Sequence, residues 1–130
     1  MSSIRARIVV LGSVIAIIVA CSSSTDVTDP SKGDCKIPSS VPSTAVVVLI
    51  KDFAYVPDLV TVPRGGQVAW VNCAAPGQES HTATSDAGLW DSPSIAPGAA
   101  FVRTFDAAAN TSFDYHCIPH PFMKGSITVQ

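Results

Sequence analysis

TSFDYHCIPHPFMKGSITVQ, residues 111–130, is the stretch on which the reading of this chain turns. Its first part has period two, with Phe113, Tyr115 and Cys117 on one face and Asp114 and His116 on the other, which predicts a half-buried β-strand. Pro119 and Pro121 cannot donate to a strand ladder, so the strand must stop there and a loop must follow. Lys124-Gly125 marks a turn, and the β-branched run from Ser126 to Gln130 predicts a closing strand. The loop between the two strands carries a thiol, an imidazole and a thioether at the spacing Cys-x-x-His-x-x-Met.

Working outward from that stretch, the same kind of signal recurs. Val46–Ile50 and Leu59–Val62 are aliphatic, β-branched runs, the second closed by Pro63 and Gly65-Gly66. Gln67–Asn72 alternates Val68, Trp70 and Asn72 against Gln67, Ala69 and Val71, and Phe101–Phe105 alternates two aromatics with Val102 and Thr104. Further turn signals fall at Pro76-Gly77 and Pro97-Gly98. No stretch sustains a 3.6-residue apolar period. Short strands punctuated by Pro and Gly predict an all-β sandwich or barrel over residues 45–130.

A second imidazole, His81, lies upstream in Ser80-His81-Thr82. Thiolate and thioether are soft ligands that favour Cu(I), and imidazole also suits Cu(II), so two His, one Cys and one Met match a trigonal blue-copper site with a weak axial Met. Taken singly, each residue has a plainer reading: Met as core filler, Cys as buried packing, His as a structural residue. Their joint spacing is what favours metal. Neither a Ser/His/Asp set, nor paired carboxylates, nor a phosphate loop is visible, and Glu79, Asp86 and Asp91 read as solvated loop charges. The expectation is a non-enzyme with no small-molecule substrate.

The Cys117-Ile118-Pro119-His120-Pro121-Phe122-Met123 loop, with His81 and the Val68-x-Trp70-x-Asn72 strand, resembles the cupredoxin family of small blue-copper proteins, and its amicyanin branch in the short loop spacing. The resemblance implies a Greek-key β-sandwich and one type 1 copper ion held by His81, Cys117, His120 and Met123. It implies that the Thr82 backbone N–H donates to the thiolate, and that Ile118, Pro119, Pro121 and Phe122 form an apolar docking patch around His120, the electron port. It thus implies a monomer that shuttles single electrons between a redox donor and acceptor. The alternative is a copper-storage, delivery or resistance protein, with a redox-accessory domain of an enzyme complex as a remoter reading. A multicopper oxidase is excluded, because three His in the whole chain cannot build its trinuclear cluster.

The N-terminus reads as an address. Arg5 and Arg7 precede an apolar run, Ile8–Ala20, of signal-peptide length, and Ile18-Val19-Ala20-Cys21 resembles a bacterial lipobox. Residues 1–20 are therefore expected to be a lipoprotein signal, Cys21 a lipid anchor to the membrane, and the domain extracytoplasmic; an ordinary cleaved signal or an uncleaved anchor gives the same side of the membrane. Residues 21–44 follow as a Ser/Thr/Pro-rich tether too poor in apolar residues to fold alone. Cys35 and Cys73 remain, either as a disulfide, which shortens the tether to 22–34, or as free thiols. The chain is 130 residues with a net charge of −2, and loss of the signal's two arginines makes it −4. That balance argues against a nucleic-acid partner.

Overall fold

The computed structural model describes residues 35–130, and the signal, Cys21 and the tether up to residue 34 lie outside the described residues. Eight strands follow one another: β1 (Val46–Lys51), β2 (Ala54–Val56), β3 (Leu59–Val62), β4 (Gly66–Asn72), β5 (Thr84–Ser85), β6 (Ala100–Phe105), β7 (Ser112–His116) and β8 (Lys124–Val129). They form two four-stranded sheets, ordered β2-β1-β4-β6 and β3-β8-β7-β5. Two pairings are parallel, β1 with β4 and β3 with β8; the others are antiparallel. Among the described residues there is no helix, as the lack of a 3.6-residue period predicts.

The inner faces of the sheets enclose one core. Trp70 at its centre is fully buried against Trp90, Phe101, Phe105 and Tyr115, at ring separations of 5.3–6.4 Å. Such offset and edge-to-face contacts add to the area the rings remove from water. Cys117 and Met123 belong to the same cluster, so the ligand loop is rooted in the core.

Three features depart from the sequence reading. Strand β4 does not alternate between core and solvent, because Val68–Asn72 are all buried. It lies between β1 and β6, and Leu49, Ala69 and Val71 are buried outside the core cluster, so this sheet is covered on both faces. The short strands β2 and β5 went unpredicted. Residues 35–44, placed in the tether by composition, are joined to the domain: two turns are closed by Val41 N–H to the Pro38 carbonyl and Ala45 N–H to the Pro42 carbonyl, and Cys35 is bonded to Cys73.

Candidate metal centre

His81 lies between β4 and β5 and is held from both sides of its backbone by Ile95, whose carbonyl and N–H bond the His81 N–H and carbonyl at 3.2 and 2.8 Å. Ile95 in turn is fixed by the Asn72 amide, which donates to its carbonyl and to that of Glu79. The buried end of β4 thereby sets the position of the first imidazole.

Cys117 directly follows β7, and Met123 directly precedes β8. Two successive turns fold the loop between them: His120 N–H bonds the Cys117 carbonyl, and Met123 N–H bonds the His120 carbonyl. The Cys117 N–H closes the loop onto the Met123 carbonyl at 3.2 Å. The prolines at 119 and 121 suit such a loop because neither is asked to donate.

The ring nitrogens of His81 and His120 lie 3.2 Å apart, each 3.7 Å from the Cys117 Sγ. A point in the plane of these three atoms sits about 2.1 Å from all of them, within the roughly 2.0–2.3 Å that a first-row metal keeps from nitrogen and sulfur. Three lone-pair-bearing atoms converging at this distance repel one another unless a cation or a proton lies between them. His81 is only 4% exposed and Cys117 is fully buried, so water cannot fill that role freely. Met123 adds a buried thioether. Two imidazoles and a cysteine sulfur converging on one point, with a thioether buried in the same loop, make a donor set that fits copper. Burial, and secondarily the repulsion from His120, push the His81 pKa down, which favours the neutral ring a metal needs.

The surroundings support this set. The Thr82 N–H points at the thiolate, 3.4 Å from Cys117 Sγ, where the resemblance placed it. Its hydroxyl accepts the Ile118 N–H at 2.9 Å, and its carbonyl accepts the Tyr55 hydroxyl. Ile118 and Phe122 are 51% and 71% exposed, and Pro119 and Pro121 are exposed too, so these four form a surface beside His120. Phe53, which the sequence reading missed, belongs with them. It packs edge-on against His81 and His120, at 5.7 and 4.9 Å between ring centroids, and is 47% exposed. A cleft of about 490 Å³ opens beside it, lined also by His81, Glu79 and Cys73.

His116 points away from the centre and pairs with Asp86 at 2.5 Å, while Asp91 accepts the Thr84 hydroxyl at 2.7 Å. Asp86 and Asp91, read as solvated loop charges, are exposed, and each also holds one neighbouring side chain. Cys35 and Cys73 are bridged.

A β-sandwich that closes two imidazoles and a cysteine sulfur on one point defines a blue, type 1 copper protein of the electron-transfer kind. Comparison with known proteins agrees. Residues 42–130 match the copper-binding proteins of the plastocyanin/azurin family. The chain belongs to that family, with a site for one type 1 copper. It is 33% identical to the amicyanin of Paracoccus versutus over 97 residues, 71% of this chain and 70% of that one. Against the amicyanin of Paracoccus denitrificans the identity is 32% over 94 residues, with the same coverage. Among solved structures, a reduced Cu(I) form of an amicyanin variant at pH 4 superposes with a TM-score of 0.64 at 31% identity, covering 73% of this chain and 90% of that one. An oxidized amicyanin variant gives a TM-score of 0.64 at 30% identity.

Proposed function

We propose that this chain is a membrane-tethered extracytoplasmic electron carrier in which His81, Cys117, His120 and Met123 hold one copper ion and His120 is the port to its redox partners. The copper supplies a one-electron Cu(I)/Cu(II) couple. The protein's part is to keep the four side chains in one arrangement in both states. The observation that carries this reading is the convergence of three ligand atoms within 4.8 Å of one another on a backbone locked from both sides. A site already in place needs little rearrangement when an electron arrives, and one whose thiolate and first imidazole are buried is poorly built for handing copper on. Around the port, Ile118, Pro119, Pro121, Phe122 and Phe53 offer an uncharged surface that a partner can cover without stripping water from charges.

The optical test is direct. Cu(II)-loaded protein is expected to show an intense thiolate-to-copper band in the visible, and Cys117→Ser to lose it; a colourless loaded wild type overturns the site. Carrier and copper-delivery readings separate on retention, because a carrier keeps its copper through repeated reduction and oxidation in the presence of a Cu(I) chelator. The lipobox-like Ile18-Val19-Ala20-Cys21 supports anchoring through Cys21, tested by detergent-phase partition of the full chain against Cys21→Ser.

A further inference from the structure

We infer that the Cys35–Cys73 bridge turns the copper end of the domain toward the membrane, so that the apolar patch of Phe53, Ile118 and Phe122 docks on a redox protein held in that same membrane. The inference rests on the reading of Cys21 as a lipid anchor and goes beyond it by fixing which end of the domain faces the lipid.

The two ends of the domain are set by strand register. In the parallel β1–β4 pair, Val46 lies beside Val68 and Ile50 beside Asn72, a separation of about 13 Å at roughly 3.3 Å per residue. The Asn72 end is the copper end, since Asn72 holds Ile95 and Ile95 holds His81. Cys73 comes next, donates its N–H to the Ile50 carbonyl, and lines the cleft it shares with Phe53 and His81. Val46 starts its strand at the other end. Had the chain entered the fold at Val46 alone, the domain would hang by the end remote from copper.

The bridge changes that attachment point. It pins Cys35 beside Cys73, and residues 36–45 then run back through their two turns to the start of β1. The chain ahead of Cys35 therefore joins the domain at the copper end. Between Cys21 and Cys35 lie residues 22–34, thirteen in number. Thirteen residues reach at most about 45 Å. A domain of this size is roughly 30 Å across. Hung from the start of β1, the patch stands farther from the lipid by the strand's span of about 13 Å; hung from Cys35, it stays within the tether's reach of the headgroups. A partner free in solution gains nothing from that placement. A partner in the same bilayer meets the patch at a raised effective concentration.

The experiment uses the full lipidated chain in phosphatidylethanolamine/phosphatidylglycerol vesicles carrying a headgroup dye whose emission overlaps the visible copper band. Oxidised protein quenches such a dye only at short range, and reduction abolishes the quenching as an internal control. The bridged protein is expected to quench several-fold more than the Cys35→Ser/Cys73→Ser variant. A second pair of variants keeps the bridge intact. A Gly/Ser insert of about ten residues between Asp34 and Cys35 lengthens the tether and must lower quenching, whereas the same insert between Ser39 and Ser40 lies behind the bridge and must leave it unchanged. Equal quenching with and without the bridge, or equal loss from both inserts, overturns the orientation while the anchor stands. Recovery of the wild-type chain in the aqueous fraction removes the anchor, and the orientation with it.

Discussion

Thr82 serves the metal centre twice, through separate atoms. Its N–H reaches the thiolate, and its hydroxyl accepts the Ile118 N–H from the residue after Cys117. Thr82→Val keeps the first and removes the second, together with the hydroxyl's 3.1 Å hydrogen bond to the Thr84 hydroxyl. The visible band is expected to persist, with a loss of about 1–2 kcal/mol in denaturant unfolding of the copper-free protein, the usual net worth of one to two hydrogen bonds. His81 predicts a pH effect. Its pKa is lowered in the fold by burial and then by His120, so below the ordinary value of 6.5 the unfolded chain binds more protons than the folded one. Stability of the copper-free protein is therefore fully present above that value and falls as the pH drops through it, measurable as a shift of denaturation midpoint on either side of 6.5. Three of the four proposed ligands stand out in the sequence because they crowd into seven positions, and a soft donor set at close spacing has few other uses. Phe53 was not, because its place against His120 depends on how the turn between β1 and β2 folds back, with Asp52 and Phe53 both at positive φ. Nothing in the local residue pattern announces that turn.

At the scale of elements, the six strands of four or more residues left a periodic or β-branched signature, and the two- and three-residue strands did not. Strand β5 exists because Thr84 and Ser85 pair with His116 and Tyr115, partners thirty residues away that no local window contains. The same limit explains β4, whose second buried face is made by packing rather than by its own alternation. The β7–β8 hairpin carries the sharpest prediction. Gly125 lies opposite Tyr115, and a Cβ there would run into the Tyr115 ring and hydroxyl. Tyr115 is fully buried and two residues ahead of Cys117, so it cannot swing into solvent to make room. Gly125→Ala is expected to cost about 1–3 kcal/mol, read as a lower thermal midpoint of the copper-free protein.

For the whole molecule, the Cys35–Cys73 bridge closes a loop across 38 positions. Cross-linking a loop of that size limits the unfolded ensemble, and Cys35→Ser/Cys73→Ser is expected to lower stability by about 2–4 kcal/mol in denaturant titration. The pairing stayed open in the sequence, because a count of cysteines cannot tell a bridge from two thiols; spatial proximity decides it. A different consequence follows from where β8 sits. The last strand of the chain is not at a sheet edge but between β3 and β7, in parallel register with a segment more than sixty residues upstream. During synthesis, an emerging chain has neither the centre of its second sheet nor the far side of its copper loop until residues 124–129 are made. Formation of the metal centre is thus tied to the addition of β8: until that strand lies between β3 and β7, Met123 has no fixed place beside Cys117.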